Sequence, residues 1–332
     1  MLQLLRKIAF PFSLIYLLII TVRNYFYDIG VFKSKTPNTP TICIGNLSVG
    51  GTGKTPMIEY VIRLLETRKL AMLSRGYKRK SVGFQLGNEE STVLDLGDEP
   101  YQIQQKFPTK SIAVDANRLN GIAQLEQLIK PAVILLDDAF QHRKVNPHLS
   151  ILLTSYACLY PRDWYLPTGN LRDSKREARR AQLIIVTKCP TNLSEEDKVA
   201  ITRQIKPKIH QKVLFTSLDY AEKFKDDLGQ TVDDILFQDK QIAVVTGIAS
   251  PEPFIQHLAA LNLNFEHLEF SDHHHFTATE LKRINGFDVV ITTEKDFVRL
   301  NGKVDSLYYL EVAHKFSEKD KSVLKETLES VF

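Results

Sequence analysis

Lys54 and Thr55 close a glycine-rich run, Gly45-Asn46-Leu47-Ser48-Val49-Gly50-Gly51-Thr52-Gly53, and a helical pattern over Met57–Thr67 follows. A short apolar run, Thr41 to Ile44, precedes it. Strand, glycine-rich turn and helix in that order form the phosphate-binding loop of nucleotide triphosphatases. Glycines let successive backbone N–H groups converge on one anion without Cβ clashes, and the helix start adds partial positive charge. Ser48, Val49, Gly50, Gly51, Thr52, Gly53, Lys54 and Thr55 are therefore the candidate cradle for a nucleotide. In it the Lys54 ammonium reaches the β- and γ-phosphates and the Thr55 hydroxyl holds Mg²⁺. The strict pattern has glycine where this chain has Ser48, so the loop is expected to bend differently, with Gly50 and Gly51 supplying the freedom. Pro56 falls in the first helical turn, where its missing N–H costs little.

Carboxylates follow at two places. The apolar run Ala132 to Leu136 ends in Asp137-Asp138. Acids at that strand end coordinate Mg²⁺ in phosphate-loop proteins, although Asp-Asp after a strand also serves as a turn. Gly97-Asp98-Glu99-Pro100 opens a helix expected over Pro100–Lys106. Asp98 there is either the helix cap or a carboxylate that takes a proton from an attacking hydroxyl. The run His273-His274-His275 suggests metal, but adjacent histidines do not converge easily on one ion. A single histidine orienting a carboxylate fits better. Arg172, Arg176 and Arg180 share one face if Ser174–Arg180 is helical. That face meets phosphates or lipid headgroups, or is simply solvated.

These groups need a scaffold that gathers strand ends. Apolar runs near 41–44, 71–73, 111–114, 132–136, 149–153 and 183–187 alternate with helical patterns near 57–67, 100–106, 118–129 and 174–180. Runs that are apolar throughout are expected of parallel strands covered on both faces. After Ser194–Ile205 and Val213–Ser217 comes a polar connection, Ala221–Thr231, and then a second α/β series, with helices at 253–261, 277–285 and 317–332 and strands at 242–246, 265–270, 289–293 and 306–310. The expected division is 1–30, a hydrophobic N-terminal helix; 31–220, a P-loop domain; and 221–332, a smaller α/β domain whose last helix could pack back on the first. The fold class is α/β, a P-loop NTPase-like parallel sheet plus the second domain.

The 332 residues are 43% hydrophobic and 25% charged, as in a globular protein, and the net charge of +4 gives no reason to expect nucleic acid. Three cysteines without C-x-x-C spacing fit a reducing compartment. Ile8 to Val22 is uncharged and flanked by Arg6, Lys7 and Arg23. As a helix it would span about 22 Å at 1.5 Å per residue, short of the ~30 Å hydrocarbon core. No small-residue cleavage site follows, which argues against a signal peptide. Cationic flanks and Tyr25, Phe26 and Tyr27 suit a helix lying in an anionic interface. A buried first helix and a tilted span are the alternatives.

Assembled, these motifs resemble the tetraacyldisaccharide 4′-kinases, the lipid A 4′-kinases. The resemblance rests on Gly45-Asn46 through Thr55-Pro56, Ser74-Arg75-Gly76-Tyr77, Gly97-Asp98-Glu99-Pro100, Asp137-Asp138-Ala139-Phe140-Gln141-His142, Gly169-Asn170-Leu171-Arg172, Asp272-His273 and Thr293-Glu294-Lys295-Asp296. It implies transfer of the ATP γ-phosphate to the 4′-hydroxyl of a tetraacyl disaccharide 1-phosphate, by a monomer at the cytoplasmic face of the bacterial inner membrane, peripheral or monotopic. By it, Lys54 and Thr55 bind ATP and Mg²⁺, Asp137 and Asp138 complete the metal site, and Asp98 is the base, paired with His273. Arg118, Gln141, Arg172 and Asp173 match substrate-site positions. Asp173 stands where the family has glutamate, and Ala139 where it has glycine. Thr292 to Arg299 lines the cleft. A membrane-bound GTPase-like switch and a nucleotide-dependent adaptor are the competing readings. The first lacks an Asn-Lys-x-Asp motif, of which Thr187-Lys188-Cys189-Pro190 is only a faint echo.

Overall fold

Helix α1, Phe10–Asp28, docks on the rest of the chain by its polar side chains. The structure, a computed structural model, describes Arg6, residues 9–272 and residues 274–332. Along α1 the buried positions are Ser13, Ile20 and Asn24, one face of a helix. The uncharged run ends at Val22, but the helix, expected within 1–30, continues to Asp28, and Arg23 and Asn24 find partners on the protein, Gln141 O and the Asp173 carboxylate.

Strands β1 (Thr41–Asn46), β2 (Leu70–Ser74), β3 (Gln85–Leu86), β4 (Ser111–Val114), β5 (Val133–Asp137), β6 (Leu149–Ser155), β7 (Leu183–Thr187) and β8 (Lys212–Tyr220) lie in one sheet. Helices α2 (Lys54–Leu64), α3 (Asp98–Lys106), α4 (Arg118–Leu128) and α5 (Glu195–Ile205) connect them. Every residue of β1 is buried, and its odd and even positions feed different cores. Ile42 and Ile44 pack with Met57, Ile58 and Ile62 of α2, whereas Cys43 packs with Leu73 and Leu136. With a last strand, β15 (Val312–Phe316), the order is β15-β8-β7-β6-β1-β5-β2-β4-β3, with parallel pairing inside and antiparallel strands at both edges. β1 and β5 sit centrally, with Ile44 opposite Asp137.

A six-stranded sheet follows, β10-β9-β14-β13-β11-β12. It contains β9 (Phe224–Lys225), β10 (Thr231–Val232), β11 (Ile242–Thr246), β12 (Phe265–Glu269), β13 (Val289–Thr293) and β14 (Leu307–Leu310), with α6 (Glu252–Ala260), α7 (Ala278–Ile284) and α8 (Glu294–Leu300). The segment read as a plain connection, Ala221–Thr231, thus carries an antiparallel ribbon, and α8 occupies most of the segment read only as cleft-lining.

The chain then returns. β15 (Val312–Phe316) pairs antiparallel with β8 on the edge of the first sheet, a strand absent from the sequence reading. Helix α9 (Glu318–Glu329) buries Leu324 and Leu328 in the same core as Ile42 and Met57. Lys106, nearly buried, ties the two sheets together. Its ammonium lies 2.7 Å from Glu59 on α2, 2.6 Å from Glu294 on α8 and 3.0 Å from Glu311, the residue between β14 and β15.

Candidate functional site

The loop after β1 turns on Gly50 (φ +100) and Gly53 (φ +80), left-handed values that residues with a Cβ rarely adopt. Gly53 is the N-cap of α2, so the helix starts at Lys54 and its first N–H groups open onto the loop. The loop is stitched to residues 170–172: the Val49 N–H donates to Asn170 O (2.8 Å), the Arg172 N–H donates to Leu47 O (2.8 Å), and Ser48 bridges Leu171. These bonds account for the non-glycine at 48, since Ser48 is held in an extended pairing. The loop's other flank is fixed by Asn46 Nδ2 to Thr52 Oγ1 (2.7 Å), Thr187 Oγ1 to Thr52 O (2.8 Å) and His314 Nε2 to Gly53 O (2.9 Å).

The ends of β1 and β5 carry the charge. Asp137 is buried and accepts from Ser74 Oγ at 2.8 Å. Burial, with the Glu99 and Asp138 carboxylates nearby, pushes its carboxyl up to about 7. Asp138 adopts φ +47 while its N–H donates to Ile44 O (3.0 Å), and this turns its carboxylate toward Lys54 Nζ, 3.8 Å away. Arg172 grips both oxygens of Asp138, Nη1 to Oδ2 at 2.9 Å and Nη2 to Oδ1, and Nη2 also reaches Asn46 Oδ1. Burial alone would raise the Asp138 carboxyl; the Lys54 and Arg172 charges outweigh it and hold it below the usual range. Arg118, almost fully buried, caps the carbonyls of Asp115 (2.6 Å) and Asp137 (3.2 Å). Gln141 donates to Asn46 O at 2.7 Å.

Asp98 is the first residue of α3 and is not its cap; Gly97, φ +87, takes that place because a Cβ there would lie 2.7 Å from Tyr77 O. From the smaller sheet, Arg299 Nε approaches Asp98 Oδ2 to 3.7 Å. Arg299 is in turn held by Asp296 (2.6 Å), which accepts from the Gly247 N–H (2.8 Å). Next to them Lys295 lies 3.3 Å from Glu99 and from Asp272. His273, expected beside Asp98, lies outside the described residues.

One cavity of about 940 Å³ collects these groups. Ser48 to Thr55, Asp98, Arg118, Asp137, Asp138, Gln141 and Arg172 all line it, and so do Tyr16 and Arg23 of α1 and Ile248, Ala249 and Phe254 from the smaller sheet. Asp173 does not. It is fully buried, pointing away from the cavity to accept from Asn24 Nδ2 (2.7 Å) and its neighbour's N–H (2.8 Å), so it anchors α1. The expected basic helix face is also absent. Lys175–Arg180 is a 3₁₀ turn, and its Arg180 lies over Phe140 and against Glu177, far in role from Arg172. His274 pairs with Glu280 at 3.0 Å. Arg299 and Lys188 were not singled out by sequence reasoning; Arg299 stood in a motif segment, one helical turn after Asp296.

The donor set fits a magnesium nucleotide. The buried Nε atoms of Arg118 and Arg172 have no hydrogen-bond partner among the described residues, as expected where a polyanion completes the site. Among the described residues no group of three His, Cys, Asp or Glu could hold a metal by itself. Mg²⁺ needs no such cage, because phosphate oxygens and water supply most of its ligands.

Comparison with known proteins agrees with this geometry. The family described as tetraacyldisaccharide-1-P 4′-kinase (LpxK) matches residues 5–332. A tetraacyldisaccharide 4′-kinase of Flavobacterium johnsoniae is 51% identical over 323 residues, 95% of this chain and 94% of that one. One from Bacteroides thetaiotaomicron is 43% identical, covering 89% and 83%. LpxK from Aquifex aeolicus, solved in complex with ATP, superposes with a TM-score of 0.79 at 29% identity, covering 99% of each chain.

Proposed function

This chain belongs to the tetraacyldisaccharide-1-P 4′-kinase family, and we propose that its reaction runs in the cavity between the two sheets, with Asp98 as the base. The protein is an ATP-dependent lipid kinase that phosphorylates the 4′-hydroxyl of a tetraacyl disaccharide 1-phosphate in lipid A biosynthesis. Family membership does not favour the switch and adaptor readings.

The loop amides and Lys54 hold the triphosphate of ATP. Thr55, with Asp137 and Asp138, would hold Mg²⁺, which neutralises charge on the β- and γ-phosphates. Arg172 fixes Asp138 in position for that task, and Arg118 and Gln141 line the acceptor side. The 4′-oxygen attacks the γ-phosphorus, its proton passes to the Asp98 carboxylate, and the bond to the β-phosphate oxygen breaks to release ADP. His273 and Arg299 shape the charge on Asp98. The base Asp98 and its partners His273 and Arg299 come from different lobes, so a closed cleft both brings them together and excludes water as a competing acceptor. The observation that carries this reading is that Lys54, Asp138 and Asp98 line one cavity.

We divide the chain into an N-terminal helix (1–30), a P-loop lobe (31–220) and a smaller lobe from 221 whose last strand and helix rejoin the first. The helix lies in the cytoplasmic surface of the bacterial inner membrane and does not cross it. It is tied down at both ends, from Ser13 on Thr168 (2.8 Å) to Asp28 on Arg143 (2.8 Å), while Phe12, Ile15, Leu18 and Ile19 are exposed. Spanning would break that row of polar bonds or drag the protein surface into lipid. On this reading the protein acts as a monomer.

The test is incubation with γ-labelled ATP and the disaccharide 1-phosphate. Label is expected on the 4′-oxygen. Asp98→Asn is expected to lose at least about a hundredfold in kcat with ATP affinity retained. Full activity of that variant sinks Asp98 as base; label elsewhere sinks the reaction.

A further inference from the structure

Lys188 follows β7 with φ +56, a left-handed turn that swings its side chain over the phosphate loop. Its Nζ lies 3.7 Å from where a Cβ would stand on Gly51, at the crown of that loop. The strand end is clamped there, because neighbouring Thr187 Oγ1 donates to Thr52 O. Lys188 lines the same cavity as Lys54. Lys54 already faces the Asp138 carboxylate at 3.8 Å. Lys188 Nζ, by contrast, has no hydrogen-bond or ion-pair partner among the described residues.

An enclosed ammonium without a counter-ion costs free energy. Burial lowers the lysine pKa; Glu252 opposes this at a distance and Lys295 adds to it. No hydrogen bond or ion pair within the described protein relieves the cost, whereas an anion held by the loop amides would. We propose that Lys188 is a second phosphate-binding ammonium, contacting the polyphosphate chain of ATP from the flank opposite Asp138. The assignment rests on the reading of this cavity as the ATP site. It also distinguishes Lys188 from a base-reading lysine, since its Nζ stands beside Gly51 of the loop that cradles phosphate.

The experiment is equilibrium binding of ATP and adenosine to the full-length protein and to Lys188→Met, Lys188→Gln and Lys188→Arg, with thermal melting in the absence of nucleotide. Lys188→Met and Lys188→Gln are expected to weaken ATP about tenfold and leave adenosine unchanged; Lys188→Arg is expected to recover most of the loss. The unliganded Met variant is expected to melt at or above the wild-type temperature, because an uncompensated buried charge is gone. A purely structural lysine predicts the reverse, a lower melting temperature with ATP affinity intact, and that result overturns the proposal. Equal weakening of adenosine also overturns it, by moving the contact to the nucleoside. Failure of the wild type to bind ATP instead overturns the kinase reading itself.

Discussion

Arg172 secures Asp138 by a geometry that a lysine cannot copy. Its two terminal nitrogens reach both carboxylate oxygens while one also meets Asn46 on the phosphate-loop strand. A planar fork can do this and a point charge cannot. Arg172→Lys keeps the charge and loses the fork, and steady-state assays should show kcat/KM lowered at least tenfold, about 1.4 kcal/mol. A variant as active as the wild type would show that charge alone positions Asp138. Residues of this kind differ in how legible they are. Lys54, Thr55, Asp98, Asp137 and Asp138 stand in motifs whose spacing encodes a backbone path, so sequence brought them to one cavity. Asp173, the next residue after Arg172, points the other way to anchor Asn24. Side-chain direction in an irregular loop is decided by packing partners far away in the chain, and no local pattern records it. Lys188 escaped for the same reason, whereas Arg299 lies on α8 and its approach to Asp98 joins two distant helices, which no local pattern records.

Strand β15 is the element with the largest consequence for its length. It leaves the smaller sheet at Leu310, crosses at Glu311 into the Lys106 ion cluster and lies on the edge of the larger sheet, with Phe316 against Tyr60 of α2 at 5.0 Å. The central parallel strands were readable because burial on both faces makes them apolar runs. β15 was not, because an edge strand that returns after an entire second sheet mixes buried, half-buried and exposed residues and has a partner nearly a hundred positions away. It delivers His314 beneath the phosphate loop, where burial pushes the imidazole down to about 4 from its ordinary 6.5. The unfolded chain therefore binds a proton that the folded chain refuses between those values, so stability from neutral His314 is complete above about pH 6.5 and drains away as pH falls toward 4. His314→Gln keeps a donor for Gly53 O and does not titrate. Melting temperatures should show the wild type losing ground to this variant as pH drops from 7 to 4.5. A difference that stays flat with pH would mean that His314 takes up its proton as readily in the fold as in the unfolded chain.

At the scale of the whole molecule, the exposed apolar face proposed to meet the membrane and one wall of the cavity share one helix. Tyr16 and Arg23 line the cavity, while Phe12, Ile15, Leu18 and Ile19 of the same helix point outward. The run of apolar residues was plain in the sequence, but its orientation was not, since it depends on Thr168, Asp173 and Arg143 from distant segments. An acceptor carrying acyl chains stays in the bilayer, and on the proposed docking a helix with polar groups inward and apolar groups outward would set the cavity mouth at lipid-headgroup level. Trp164, the single tryptophan, packs edge-on against Phe10 at 5.3 Å and is more than half exposed, which makes it a reporter of that surface. Anionic vesicles should shift its emission to the blue. The double substitution Leu18→Glu with Ile19→Glu places two charges where lipid would sit and breaks none of the bonds that hold the helix to the protein. It should abolish both the shift and co-sedimentation while ATP binding persists, and it should lower turnover of vesicle-borne acceptor far more than that of a soluble acceptor analogue. Unchanged sedimentation would move the docking surface elsewhere. Equal losses on both acceptors would mean that the helix serves the cavity only as a wall, because a membrane-docking role can matter only to a substrate that must be met in the membrane.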